Sequence, residues 1–293
     1  MDITASMVKE LRDKTGAGMM DAKKALVEVG GDMEKAAEYL RQKGIASAEK
    51  KMNRIAAEGL VSSVIEGQVG AMVEINCETD FVAKNDDFKE LTETIAKVVI
   101  AKNPKDVDEL LKADCQGQSV EEYLKGKIAT IGEKITIRRF VRYDAPCCIN
   151  TYIHNGKIGV LLETKCNEGA SKEENTKIAK DICLHIASCA PEFISRTEIP
   201  QSVIDEETRV EMGKEDLANK PENIRAKIVE GRVNKLMAQR CLLEQPFVKS
   251  PDETISKLIE GHLSIVRFTR YVLGEGLEKR NENFADEVAK QLG

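Results

Sequence analysis

Apolar positions in residues 1–44 recur at the three- and four-residue spacing of amphipathic helices, and glycines divide the run into three. Thr4 suits the N-cap of the first helix, Val8 and Leu11 share its inner face, and Gly16 suits the left-handed residue that ends it. Ala22, Leu26 and Val29 give the second helix, Met19 to Val29, its stripe. Gly30 and Gly31 interrupt, Asp32 caps the third helix, and Ala36, Ala37 and Leu40 face inward as far as Gly44. A bundle of this size has little core of its own but is common as a recognition module. The run from Ala46 to Glu58, with Lys50, Lys51 and Arg54, reads as a polar helical linker.

Beyond the linker the period shortens to two, and the pattern appears twice. VIEGQVGAMVEINC and YIHNGKIGVLLETKC align so that Gly70, Glu74 and Cys77 recur as Gly159, Glu163 and Cys166 at one constant offset. Each copy reads as a β-hairpin, the second with an Asn155-Gly156 turn. An amphipathic helix follows each: Asp87 to Ala101, with Phe88, Leu91, Ile95 and Val98 on one side, and Ser171 to Ala190, with Ile178, Ile182 and Ile186. Ser171 and Glu174 fit a capping box, and Asp86-Asp87 read as helix caps. A last strand also recurs, IRRFVRY at 137–143 and IVRFTRY at 265–271, identical at five of seven positions. Its offset is larger than that of the hairpins, so the second copy carries an insertion.

The insertion lies at 196–240, where Val203, Val210 and Leu217 repeat every seven residues. Asn219-Lys220-Pro221 turns the chain into a second helix carrying Ile224, Ile228, Val233 and Leu236. Two such helices form an antiparallel hairpin with a thin apolar stripe, one that projects from the core. A final helix is expected over 276–293, with Phe284, Val288 and Leu292. The fold class is therefore α+β. It divides into a helical N-terminal unit with linker (1–55), a first repeat (56–145), a second repeat (146–195 and 241–275), the inserted hairpin (196–240) and a C-terminal helical unit (276–293).

Composition narrows the function. The 293 residues suit two or three domains, with 42% hydrophobic and 32% charged residues. The net charge of −6 lacks the basic surplus of a dedicated nucleic-acid binder, so no direct nucleic-acid partner is expected. No stretch approaches the roughly 18 consecutive apolar residues of a membrane span. The N-terminus shows no basic segment followed by an apolar run, which gives the expectation of a cytoplasmic protein. The eight cysteines include no CxxC pair and read as reduced packing residues.

Catalytic signatures do not emerge. Gly16-Ala17-Gly18 follows a helix and lacks a third glycine, which favours a turn over a phosphate loop, and no GxxxxGK[ST] occurs. His154, His185 and His262 belong to no HExxH or GxSxG motif. His185 reads as a packed core residue and His154 as an exposed residue at a hairpin turn. No cofactor, metal site or enzymatic activity is expected.

One segment stands out. Thr79-Asp80-Phe81-Val82-Ala83-Lys84-Asn85 connects a strand to a helix, and connections lie at the surface. Phe81 either folds back into the core or serves as an exposed contact wedge, since aromatic residues are favoured interface anchors. TDFVAKN at 79–85 and LRDKTGAGMMDAKKAL at 11–26 resemble the two signature segments of the elongation factor Ts family. The order of units, IGEKITIRRF at 131–140, QPFV at 245–248 and LGEG at 273–276 extend the resemblance over nearly the whole chain.

The resemblance implies a three-helix N-terminal domain of the ubiquitin-associated type, a duplicated α+β core, a coiled-coil insertion and a C-terminal helical module. It implies a guanine-nucleotide exchange factor that binds elongation factor Tu and promotes GDP release by disturbing its magnesium and phosphate-binding elements. Thr79, Asp80, Phe81 and Val82 match the intruding segment. Val8, Leu11, Arg12 and Lys23 match the N-terminal docking face, and His154 and Val248 match core contacts. The coiled coil allows a homodimer. Ala22 stands where the family commonly has Cys, and Lys249 receives no contact role. A generic adaptor is the main rival, and it offers no reason for TDFVAKN. An enzyme is the third reading.

Overall fold

The structure, a computed structural model, describes residues 3–145 and 148–278. The helix expected over 276–293, with Phe284, Val288 and Leu292, lies almost wholly outside the described residues, as does Cys147.

Helices α1 (Ala5–Thr15), α2 (Met19–Glu28) and α3 (Met33–Lys51) open the chain. The Thr4 side chain accepts the Met7 N–H, Gly16 takes φ +69° at the end of α1, and Asp32 caps α3 through the Glu34 and Lys35 N–H groups. Val8, Leu11, Ala22, Ala25, Leu26 and Ala36 form their shared core. Helix α3 passes through Gly44 without a break and takes in the start of the expected helical linker, but it ends at Lys51, and Glu58 already begins a strand. Gly44 serves packing against a later helix: a Cβ there would lie 2.7 Å from Ala129 Cβ, so glycine permits close contact instead of ending the helix.

Strands β1 (Glu58–Glu66) and β2 (Val69–Cys77) form the first hairpin. After a one-turn helix α4 (Asp80–Lys84) comes α5 (Asp86–Lys102), whose Phe88, Leu91, Ile95 and Val99 are buried against the hairpin. Asn85, rather than Asp86-Asp87, caps α5, and the two aspartates occupy its first turn, where the helix dipole favours negative charge. Next come α6 (Val107–Lys112), the two-residue strands β3 (Asp114–Cys115) and β4 (Gln118–Ser119), and α7 (Val120–Ile131). Ser119 and Glu122 form a full capping box on α7. Strand β5 (Ile135–Asp144) completes an antiparallel sheet of order β1-β2-β5.

The second repeat supplies β6 (Cys148–His154), β7 (Ile158–Cys166) and α8 (Lys172–Cys189). The inserted hairpin is α9 (Gln201–Met212) and α10 (Glu222–Arg240). It buries Ile199, Leu217, Val229, Val233 and Met237. The seven-residue spacing misled on register. Helix α9 ends at Met212, so Leu217 is buried from a 3₁₀ turn, while Val210 and Ile224 face solvent. Strands β8 (Pro246–Phe247) and β9 (Ser250–Thr254), helix α11 (Ile255–Ile259) and strand β10 (Leu263–Val272) follow, closing a second sheet of order β10-β7-β6.

The two sheets pack face to face with α5 and α8 outside, an α+β arrangement. Val61, Met72, Tyr143, Leu161 and Tyr271 fill the seam between them. The recurring glycines sit here: a Cβ on Gly70 would come within 2.7 Å of Ile149 Cγ2, and one on Gly159 within 2.5 Å of Val61 Cγ1. Only glycine lets the sheets approach so closely. Charged residues cross the seam reciprocally. Arg139 stacks on Tyr271 at 4.2 Å and Arg267 on Tyr143 at 4.1 Å, while each guanidinium pairs with its own repeat's glutamate, Glu74 or Glu163, at 2.6 Å.

A bulge falls at the same place in each repeat, and its occupant differs. The extra residue is Arg138 on β5 and Val266 on β10. Arg138 donates to Glu74 Oε1 at 2.9 Å, whereas Val266 is exposed. Glu74 also accepts the Gly274 N–H at 2.8 Å, so this fully buried carboxylate ties the end of β10 to the first sheet. Among the cysteines, Cys77 and Cys183 are buried and their thiols are pushed up to about 12, which removes thiolate reactivity.

Candidate partner-binding site

The sequence predicts a connecting loop over Thr79–Asn85. The structure instead winds Asp80–Lys84 into one helical turn. Thr79 explains this, since its extended backbone and its Oγ1, which accepts the Val82 N–H at 3.4 Å, make it a helix N-cap. A residue distant in sequence then fixes the turn. Glu133, in the bend between α7 and β5, accepts the N–H groups of Glu78 and Thr79 at 3.1 and 3.0 Å and the Thr79 hydroxyl at 2.6 Å. Glu78 answers by accepting the Lys134 N–H at 2.6 Å. The IGEK motif contains Glu133, but nothing in its sequence reveals this clamp.

The turn sorts its side chains sharply. Val82 and Ala83 pack on the first-repeat core. Phe81 projects outward and is 81% exposed, so the core alternative is not what the fold adopts. Exposing a phenylalanine forfeits roughly 1.5–3 kcal/mol of burial free energy, and only a contact elsewhere recovers it. Asp80 pairs with Lys84 at 2.6 Å, and this hydrogen bond, helped by the charge of Lys157, holds its carboxyl below the usual range.

Lys157 belongs to the β6–β7 turn of the second repeat. That turn is fixed by the Val61 N–H donating to the Gly156 carbonyl at 2.7 Å and by the Leu273 N–H donating to the Lys157 carbonyl at 2.8 Å. Asn155 and Gly156 both take positive φ, +51° and +69°, as a two-residue hairpin turn requires. His154 is exposed at this tip, with Nδ1 3.0 Å from the Tyr152 hydroxyl. Strand β1 thus carries α4 and the His154 turn beside one another, one from each repeat.

The remaining expected residues lie elsewhere. Arg12 and Lys23 are exposed on the N-terminal bundle, with Met19, Met20 and Val27 as apolar neighbours on α2. Val8 and Leu11 do not share that exposure. Leu11 is 0% exposed and Val8 nearly so, so their apolar area is spent on the bundle core. Their helical spacing is the same whether a stripe faces a core or a partner. Val248 is 41% exposed on the β8–β9 turn and is held by α8 rather than by α4. Among the described residues, no three His, Cys, Asp or Glu side chains are grouped to hold a metal ion, and no helix is long and apolar enough to cross a membrane.

Comparison with known proteins places this geometry in a family. A profile described as Elongation factor TS matches residues 78–275, a span that starts beside the Thr79 cap and ends just past Gly274. Elongation factor Ts of Nostoc punctiforme is 44% identical over 312 aligned residues, covering 100% of this chain and 99% of that protein. The counterpart from Thioalkalivibrio sulfidiphilus is 46% identical over 296 residues, covering 99% of each. That from Chromobacterium violaceum is 46% identical over 289 residues, covering 98% of each. The chain belongs to the elongation factor Ts family of the bacterial type, a family of translation elongation factors.

Proposed function

We propose that this protein is a guanine-nucleotide exchange factor for elongation factor Tu and carries out no covalent chemistry of its own. The observation that carries the reading is Phe81: a large aromatic side chain held 81% exposed on a capped and clamped turn, with a carboxylate beside it. A rigid wedge enters a partner at little cost in ordering, because its backbone is fixed beforehand. Phe81 displaces groups around the bound phosphates, and Asp80 places negative charge near magnesium. Both effects favour a Tu conformation that holds GDP poorly. Thr79 and Val82 keep the wedge in place from beneath.

Docking is divided among other surfaces. Arg12 and Lys23 on the N-terminal bundle, His154 beside the wedge and Val248 on the second repeat make separate contacts, which is how one protein grips a partner on more than one side. No nucleic acid and no membrane takes part. The chain works in the cytoplasm, and the inserted hairpin serves either as a brace or as a self-association surface.

Exchange by this route is linkage. A factor that weakens GDP binding must itself be weakened by GDP to the same degree, whereas a partner with equal affinity for both Tu states shifts nothing. Titration calorimetry with nucleotide-free and GDP-saturated elongation factor Tu tests this. The expected affinity for the GDP-saturated form is lower by about tenfold or more, within the range of allosteric coupling. Equal affinities would eliminate the exchange reading and leave an adaptor.

A further inference from the structure

We propose that His185 is a positioning residue that shapes the Gln245–Lys249 turn and so presents Val248 to the partner. The inference rests on the reading above, in which Val248 is a docking contact.

Helix α8 buries His185 completely, yet both ring nitrogens are used. The Val248 backbone N–H donates to Nδ1 at 3.2 Å, so Nδ1 carries no proton. Nε2 therefore holds the proton and donates to Gln245 Oε1 at 2.8 Å. Gln245 is oriented to receive it, because its amide nitrogen donates to the Gln239 carbonyl at 2.6 Å. One neutral imidazole thus spans both ends of the turn. Phe247, 5% exposed, packs beside the same ring with centroids 6.1 Å apart. Lys249 is tied back to Asp181, one turn earlier on α8, at 2.6 Å. With Phe247 inward and Lys249 tethered, Val248 is the side chain the turn displays.

The bond to Val248 exists only while Nδ1 is bare. Burial lowers the His185 pKa and the Gln245 bond partly opposes it, leaving the ring neutral near pH 7. The charged and titratable groups around it are otherwise engaged. Asp181 and Lys249 pair with one another, Arg270 of β10 donates to the Ala187 carbonyl, and burial raises the Cys183 and Cys189 thiols. Protonation would turn an N–H toward the Val248 N–H, and the turn would lose its anchor. The depressed pKa means this contribution is present above the ordinary histidine value and is lost as pH falls below it.

The test measures GDP release from elongation factor Tu as a function of exchange-factor concentration. His185→Phe keeps a ring but loses both bonds, whereas His185→Asn can restore an acceptor. The phenylalanine variant is expected to raise the half-saturating concentration about five- to tenfold, the effect of losing the bond that holds Val248 and the order that bond imposes on the turn, with the maximal rate within about twofold. His185→Asn should recover most of the loss. Val248→Ala should match His185→Phe, and the double variant should be no worse than either. The wild-type half-saturating concentration should stay level above the ordinary histidine value of about 6.5 and rise only as pH falls below it, while that of His185→Phe stays flat.

An unchanged half-saturating concentration in a folded His185→Phe protein, beside an active wild type, would overturn the positioning role alone. A wild type without exchange activity would overturn the underlying reading. Should His185→Phe not fold, nitrogen NMR of the wild-type imidazoles decides. A bare Nδ1 and protonated Nε2 support the inference, and the opposite tautomer overturns it.

Discussion

Phe81→Ala is expected to slow catalysed GDP release by about ten- to hundredfold while leaving the unfolding free energy within about 0.5 kcal/mol of wild type. The two expectations belong together. Truncating a side chain that is 81% exposed removes almost no contact within the free protein, so stability has little to lose. The clamp beneath it, Glu133 on Thr79 and Glu78, does not involve the ring, so the turn keeps its shape. An anchor at the centre of an interface typically costs about 2 kcal/mol or more on truncation, which sets the size of the expected rate change. Because the lost interaction acts on the nucleotide-free state, the maximal rate should fall more than half-saturation rises. That is the reverse of the split expected for His185 variants. Stopped-flow release together with urea unfolding checks both. A well-folded Phe81→Ala protein exchanging at the wild-type rate would sink the wedge assignment.

Glu74→Gln is expected to destabilise the protein by about 3–4 kcal/mol at neutral pH, the lower part of the range for breaking a buried pair, because Arg138 and Arg139 keep some water. Burial alone would raise the Glu74 pKa. The Gly274 N–H and the two guanidinium groups outweigh it and hold the carboxyl below its usual value. A depressed carboxyl stabilises the fold above the unfolded pKa of about 4.3 and loses that contribution as pH falls through the folded value. The difference between wild type and Glu74→Gln should therefore be largest near pH 7 and shrink in acid. Glu163→Gln serves as the internal comparison. The second repeat's bulge places exposed Val266 where the first places Arg138, so among the described residues Glu163 has only Arg267, itself about half exposed, as its side-chain ion pair. Chemical denaturation across pH measures both. An equal loss in the two variants would contradict the asymmetry read from the bulges.

Much of the fold is legible in the chain because local rules and tertiary needs agree. The paired glycines, the Asn155-Gly156 turn and the apolar faces of α5 and α8 announce themselves by position. Gly44 shows where agreement fails: a glycine after a helical stripe suggests an end, but here it admits Ala129 from a helix far along the sequence. Val210 and Leu217 show the same, since a sevenfold spacing says nothing about a helix that stops between them.

The site was partly legible. TDFVAKN marks itself, but its helical shape depends on Glu133, and the nearness of Lys157 depends on pairing between repeats. Leu11 shows a limit of the pattern: amphipathic periodicity gives no hint of what covers a stripe, and in the fold the bundle core covers this side chain.

The most direct measurement is release of a fluorescent GDP from elongation factor Tu in stopped flow, with this protein at catalytic concentrations. Accelerated release in which each molecule serves many Tu molecules is the expected result. Unchanged release, with a folded protein and its cognate Tu, would contradict the claim that this chain drives nucleotide exchange.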